Sequence, residues 1–227
     1  LHKAIRRQRQ MCIRDRHVMA LILSWYKNIP YLDHFLKDRG EADQLDYTGA
    51  ELYGKTIGII GLGHVGRIVA EYCNAFHMTV LGYSHKLIEM CSVEQVDLDT
   101  LFRDSDIISL HVPLTDSTRH LINAETFSKM KPDALLINTS RGGTVDEAAL
   151  ITALENKDIS GACLDVFETE PLKPDSPLRD LKNVLLTPHT AGLPDGIKYH
   201  KKRYAFFVRN IEKVMRHETP ECCLNTV

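Results

Sequence analysis

"TIGIIGLGHVGRIVAEYCNAF", residues 56–76, decides how the rest of the chain is read. Its first five residues are β-branched apart from one glycine, the composition of a strand buried on both faces. From Val65 the period changes, and apolar side chains at 65, 68, 69, 72, 73 and 76 line one face of a helix. Between the two lie Gly61, Gly63 and Gly66, spaced GxGxxG. That spacing alone is weak, but between a strand and a helix each glycine has a task. Gly61 permits a tight turn, Gly63 lets the backbone approach a pyrophosphate, and Gly66 lets the helix lie close on the strand. The helix N-terminus, with His64 and Val65 in its first turn, offers free N–H groups to the phosphate oxygens. The stretch predicts a dinucleotide cradle.

The alternation continues outward. "MTVLGY", "IISLHVP", "ALLINTS", "GACLDVF" and "NVLLTPH" read as further strands, and "LDTLFRDSD" and "AETFSKM" as short helices between them. Thr144 and Glu147 form a TxxE capping box that opens a helix through Leu154. Strands alternating with helices at this spacing predict an α/β fold, a doubly wound parallel sheet of the Rossmann-like kind. Upstream, His17–Leu36 is apolar at near-helical spacing, broken by Pro30, and too hydrophobic to stand alone in water. Residues 1–16, dense in Arg, carry no period that persists beyond Arg16, and "MCIRDR" resembles sequencing-adapter read-through. We expect this segment to be non-native; a genuine basic tail is the competing reading. A basic helix over about 197–216 and a Cys-rich tail end the chain.

Bulk properties narrow the function. With 28 basic and 30 acidic residues the formal charge is −2, so no global field recruits nucleic acid or an anionic membrane. The six cysteines include no CxxC pair and no metal-like spacing with histidine, and several fall in apolar segments. No apolar run is long enough to span a membrane. These features point to a small-molecule partner, no metal and a reducing cytoplasm.

In open α/β sheets ligands lie outside the carboxyl ends of the strands. Arg141 follows "LLINTS", Glu170 lies in "DVFETEP" and His189 ends "LLTPH", all on that edge. Singly each has a dull explanation. Together they supply an anion receptor, a carboxylate and an acid/base group facing one dinucleotide. Arg141 can hold a substrate carboxylate with its forked donors, and His189 can exchange a proton with a hydroxyl or carbonyl oxygen. Glu170, bonded to the other ring nitrogen, would fix the tautomer.

Five ordered motifs, "GKTIGIIGLGHVG", "SLHVPLTDSTRHLIN", "KPDALLINTSRGGTVDEAAL", "GACLDVFETEPL" and "NVLLTPHTAG", resemble the cofactor domain of the D-isomer-specific 2-hydroxyacid dehydrogenases over about residues 17–216. The resemblance implies reversible reduction of a 2-oxo acid of the hydroxypyruvate, glyoxylate or pyruvate type to a D-2-hydroxy acid. It makes Arg141 the substrate arginine and Glu170 the partner of His189. It places Asp165 and the Thr139 backbone on the nicotinamide carboxamide, His111, Val112 and Pro113 on the adenosine side, and Thr118 among the cofactor contacts. It further implies a homodimer through residues 17–47.

Two departures stand out. Where an acid would bond the ribose 2′-hydroxyl, this chain has Ser84, followed by His85 and Lys86, which leaves NAD against NADP open. Members of the family also carry a substrate domain ahead of the segment at His17. We therefore expect residues 17–193 to form the NAD(P)-binding domain and 194–227 to belong to an otherwise missing substrate domain, with turnover impaired. A dinucleotide-sensing, corepressor-like protein of the same fold is the alternative from another class; an S-adenosylhomocysteine-hydrolase-like domain fits "TSRGG" and "TEP" less well.

Overall fold

The computed structural model describes residues 13–38, 49–192 and 197–221. The chain divides into two units, Leu1–Gly192 and Leu193–Val227.

The first unit is built on seven parallel strands: β1 (Thr56–Ile60), β2 (Thr79–Tyr83), β3 (Glu94–Gln95), β4 (Ile107–Leu110), β5 (Leu135–Asn138), β6 (Gly161–Leu164) and β7 (Val184–Leu186), in the order β3-β2-β1-β4-β5-β6-β7. The Rossmann-like α/β fold read from the sequence is therefore the observed one. Six strands were legible; β3, two polar residues long, offers no pattern to read. The order reverses between β1 and β4, which pair with Ile60 beside Leu110. That switch point opens the crevice in which doubly wound sheets take ligands.

Every strand but β3 feeds two cores because successive side chains point to opposite faces. Ile60, Ile108, Leu110, Leu136 and Leu164 pack on one side with residues of α4 (Leu98–Asp104), α5 (Ala124–Phe127) and α6 (Glu147–Asn156). Ile57, Ile59, Ile107, Leu135, Ile137 and Cys163 pack on the other with α1 (Arg14–Tyr26) and α3 (His64–Ala75). Burial pushes the Cys73 thiol up to about 12 and raises that of Cys163, so both behave as small apolar core groups.

Three local expectations are corrected. The apolar segment breaks ahead of Pro30: α1 ends at Tyr26, Asn28 takes a left-handed φ of 51°, and Pro30 sits in the first turn of α2 (Ile29–Lys37), where its missing N–H costs nothing. Within that segment, α1 escapes water inside its own chain, since Val18 and Ile22 are fully buried, whereas α2 buries no residue. The helix after β5 is not capped by Thr144. Asp146 is its N-cap, accepting from Ala149 N at 3.0 Å, while Thr144 lies in the preceding 3-10 turn and donates to Arg141 O at 2.7 Å. The capping box belongs instead to α5, between Asn123 and Thr126.

The expected non-native segment overlaps α1, which begins at Arg14 and buries Asp15; residues 1–12 of it, and 39–47 of the expected dimer segment, lie outside the described residues. In the second unit α7 (Ile197–Met215) closes with a reciprocal pair, in which Glu221 N donates to Asn210 Oδ1 at 2.8 Å and Asn210 Nδ2 to Glu221 O at 3.2 Å. No helix among the described residues is long and apolar enough to cross a membrane.

Candidate functional site

The glycine-rich turn sits where β1 meets the switch point. Gly61 has φ +103°, and a Cβ there would lie 2.6 Å from His111 O, so only glycine fits against the end of β4. A Cβ on Gly66 would lie 2.1 Å from Gly61 O, which locks α3 onto the turn. Gly63 is different, because a Cβ there would meet nothing within 4 Å. The protein's own packing does not require that glycine, so the space in front of it is open to something else. Gly63 is also the N-cap of α3 and offers no side-chain cap, leaving the first-turn N–H groups of His64 and Val65 without an intrahelical partner. Open space before uncapped donors at a positive helix end fits a dinucleotide pyrophosphate.

Across the switch point lies a cleft of about 510 Å³ lined by Arg14, Val65, His111, Val112, Pro113, Leu114, Thr139, Ser140 and Arg141. Five residues of the sequence-predicted set, Val65, His111, Val112, Pro113 and Thr139, thus share a wall with Arg141. Thr139 Oγ1 is buried without a partner, a polar atom that a bound molecule could satisfy. Burial holds the His111 imidazole down at about 4, with the Arg14 charge acting in the same direction, and Ser109 Oγ lies 2.9 Å from its Nε2. The positive charge of the cleft is therefore carried by Arg14 and Arg141. Thr118 is turned inward: its hydroxyl donates to Pro113 O at 2.6 Å and accepts from Thr115 N at 2.8 Å, shaping the loop after β4.

Asn138 organises the turn that carries Arg141. Its Oδ1 accepts from Ser140 N at 3.0 Å and Ser140 Oγ at 2.9 Å, and its Nδ2 donates to Arg141 O at 3.0 Å. A Cβ on Gly142 would stand 1.8 Å from Phe167 O, so the turn lies flat against the end of β6. The Arg141 side chain is exposed, and Nη1 donates to Ser140 O at 2.7 Å. Its remaining N–H donors suit a carboxylate.

His189 and Glu170 line a second cleft of about 600 Å³, with Phe167, Pro171, Leu172, Arg179, Leu186, Thr187 and Pro188. His189 Nδ1 lies 2.6 Å from Glu170 Oε2, and the other carboxylate oxygen accepts from Phe167 N at 3.2 Å. With Nδ1 donating to the carboxylate, Nε2 is left to exchange a proton. Arg141 lines the first cleft and the His–Glu pair the second; neither cleft holds all three.

Asp165 is fully buried at the end of β6. Its Oδ1 accepts from Thr187 Oγ1 at 2.6 Å and Thr190 N at 2.8 Å, its Oδ2 from Ala191 N at 2.9 Å, and its carbonyl from His189 N at 2.8 Å. It therefore holds the loop on which His189 sits with a left-handed φ of 54°. His17 adds a contact from α1, with Nε2 3.1 Å from Thr187 Oγ1.

Ser84, His85 and Lys86 come directly after β2. Ser84 is half-buried, while His85 and Lys86 are exposed. The sequence reading missed Arg14, placed with the foreign segment, and the framework residues Asn138 and His17. Arg14 and His17 reach these loops from α1, far along the chain, whereas Asn138 acts within its own turn, whose closure no apolar period announces.

A family model described as "D-isomer specific 2-hydroxyacid dehydrogenase, NAD binding domain" matches residues 19–191. The D-3-phosphoglycerate dehydrogenase of Methanocaldococcus jannaschii is 42% identical over 212 residues, which cover 91% of this chain and 40% of that protein. The hydroxypyruvate reductase of Thermotoga maritima is 46% identical over 176 residues, 75% of this chain and 56% of that one. Among solved structures, D-lactate dehydrogenase from Aquifex aeolicus complexed with NAD and lactic acid superposes with a TM-score of 0.80 at 33% identity, covering 91% of this chain and 67% of that one. The chain thus spans between two fifths and three fifths of the length of these two curated relatives.

Proposed function

The chain belongs to the D-isomer specific 2-hydroxyacid dehydrogenase family, its matched part being the NAD-binding domain, and from this premise we propose that it binds a nicotinamide dinucleotide across the β1/β4 crevice and serves reduction of a small 2-oxo acid to a D-2-hydroxy acid. The observation that carries the reading is Gly63, the one glycine of the turn whose missing side chain leaves open space, in front of uncapped N–H groups. Around it the chain's own residues divide the work. Arg141 receives the substrate carboxylate with the N–H donors not given to Ser140. His189 donates its Nε2 proton to the carbonyl oxygen as that oxygen gains charge, and Glu170 holds Nδ1 and stabilises the cationic ring before transfer. Val65 and the Thr139 backbone flank the nicotinamide end, His111, Val112 and Pro113 line the adenosine side, and Asp165 keeps His189 in place. The reduced nicotinamide, when bound, supplies the hydride, so the substrate gains two electrons and two hydrogens. Hydroxypyruvate, glyoxylate and pyruvate are the substrate class.

The exposed apolar side chains of α2, Ile29, Tyr31 and Leu36, favour self-association into a dimer, which sedimentation of the chain tests. The buried thiols of Cys73 and Cys163 suit a reducing cytoplasm.

Titration with NADH or NADPH, followed by nicotinamide fluorescence, tests the core of this reading. Saturable enhancement is expected. No binding at millimolar dinucleotide would overturn it.

A further inference from the structure

The loop after β6 carries two carboxylates two residues apart, and each meets a histidine from a different loop. Glu170 Oε2 lies 2.6 Å from His189 Nδ1, the pair described above. Glu168 Oε1 lies 2.7 Å from Nε2 of His120, which stands in the loop after β4. Both histidines have a left-handed backbone, with φ 54° at His189 and 48° at His120. That conformation is uncommon outside glycine, and a large side chain kept there calls for a reason.

The reason lies in what the second pair joins. The turn Arg141–Thr144 is gripped by the loops from which the two partners come. From the loop after β4, His120 N donates to Gly143 O at 2.9 Å and Ile122 N to Thr144 O at 3.1 Å. The loop after β6 makes the closer approach: a Cβ on Gly142 would stand 1.8 Å from Phe167 O and 2.5 Å from Glu168 N. Glu168 N donates in turn to Glu147 Oε2 at 3.1 Å, on the first residue of the helix that follows the turn. The contacts therefore close a ring, from Gly143 to His120, on to Glu168 and Glu147, and back along the chain. Its one link made by two side chains is His120 with Glu168.

A partly exposed ion pair is ordinarily worth little, because ordering two long side chains offsets what the attraction supplies. Here much of that ordering is already done. His120 is fixed by its own N–H and by Asn123 Nδ2, which donates to its carbonyl at 3.1 Å. Glu168 is fixed by Glu147 and by the flat approach of Gly142. An imidazole Nε2–H can donate to the carboxylate with the ring neutral or cationic, so the link does not rest on charge alone. What the ring encloses is the turn that aims Arg141.

We propose that His120 and Glu168 are a positioning pair for the substrate carboxylate: by linking the two loops that grip the turn, they keep Arg141 facing the cleft it lines. One loop then sets both working ends of the site, aiming the anion receptor through Glu168 and fixing the acid/base histidine through Glu170. The proposal rests on the reading of Arg141 as the carboxylate receptor and adds to it what keeps that receptor aimed.

The experiment reads the free chain first. Backbone ¹⁵N relaxation of Arg141–Thr144 is compared in the unaltered protein, His120→Gly, Glu168→Ala and Glu168→Gln. Glycine takes the left-handed φ freely, so His120→Gly removes the ring without straining the loop. The turn is expected to be as rigid as the sheet in the parent and to gain fast motion in His120→Gly and Glu168→Ala. Glu168→Gln, which keeps the acceptor oxygen, should restore most of the rigidity, and the double variant of His120→Gly with Glu168→Ala should be no looser than either alone. The melting temperature, followed by fluorescence of Trp25 where it packs on Gly161, should change little. The second measurement is binding of oxamate, a planar analogue of a 2-oxo acid, to the chain saturated with NADH. Oxamate should bind about fivefold or more weakly in the two disrupting variants, with NADH affinity within about twofold of the parent's. Unaltered motion of the turn would overturn the proposal, as would a loosened turn with oxamate affinity unchanged, and both results leave Arg141 in its role. Oxamate that does not bind the parent, or binds Arg141→Gln equally well, would sink the reading of Arg141 and the proposal with it.

Discussion

The glycine-rich turn after β1 and the histidine loop after β7 stand on the same edge of one sheet and are built in opposite ways. At Gly63 nothing in the protein would meet a Cβ within 4 Å. At His189 nearly everything is tied: its N–H to Asp165 O, its ring to Glu170, and the neighbouring amides of Thr190 and Ala191 to the Asp165 carboxylate. The first region works by leaving room and presenting backbone donors, the second by fixing one side chain in a left-handed backbone conformation that is uncommon for a non-glycine residue. A site for a large, shared ligand needs absence of side chains; a site for one proton needs a side chain held still.

The largest effect that can break this contrast is catalytic. In a form of the protein that reduces a 2-oxo acid, His189→Ala should lower kcat by about 10²–10⁴, and steady-state rates close to the parent's would remove His189 from the chemistry. Next is the framework. Asp165→Ala leaves two loop N–H groups and the Thr187 hydroxyl without their acceptor, so urea denaturation should show a loss of about 3 kcal/mol or more. Hydrogen exchange at Thr190 and Ala191 should quicken with it. If stability and exchange are untouched, the loop is held by something else.

The turn supplies a paired test of smaller size. Gly66→Ala drives a Cβ to 2.1 Å from Gly61 O and should cost about 1–3 kcal/mol of stability. Gly63→Ala, three residues away, should leave stability within about 0.5 kcal/mol, because its Cβ meets nothing. It should nonetheless weaken dinucleotide binding by about tenfold or more, as a methyl group intrudes where the pyrophosphate approaches. Equal stability losses in the two variants would erase the distinction between packing glycine and ligand glycine.

The smallest effect is a pH dependence. His111 has its pKa lowered by burial from 6.5 to about 4, so between these values the unfolded chain takes up a proton that the folded one refuses. Its contribution to stability is complete above pH 6.5 and is lost as the pH falls towards 4. His111→Asn should therefore show a shallower fall in denaturation free energy across that window than the parent. Parallel profiles would mean that His111 titrates alike in both states.

The same contrast explains what the sequence disclosed. The sheet was legible because a strand buried on both faces leaves an unbroken apolar run, as in Leu135–Ile137, and the turn because its glycines answer to backbone geometry at fixed spacing. Arg141, Glu170 and His189 could be nominated because each stands just past a strand end. Whether they meet is a question of three-dimensional placement. In the structure His189 meets Glu170, and Arg141 lines the other cleft. Asp165, expected at the nicotinamide carboxamide, also has a framework role that no spacing announces, since its carboxylate accepts from Thr187, Thr190 and Ala191. Arg14 left no trace, because a helix end that lines a crevice has no local period. Thr144 misled for a related reason: TxxE fits a capping box, but the 3-10 turn moves the helix start to Asp146.

The central claim is that one dinucleotide lies across the β1/β4 switch point, with its pyrophosphate at Gly63 and its nicotinamide towards Thr139 and His189. Backbone amide chemical shifts of the chain, recorded while NADPH is added, address it most directly. The account predicts saturable shifts at Gly61–Gly66, His111, Val112 and Thr139–Arg141, with α2 unmoved. Shifts absent from the Gly61–Gly66 turn at saturating dinucleotide would contradict it.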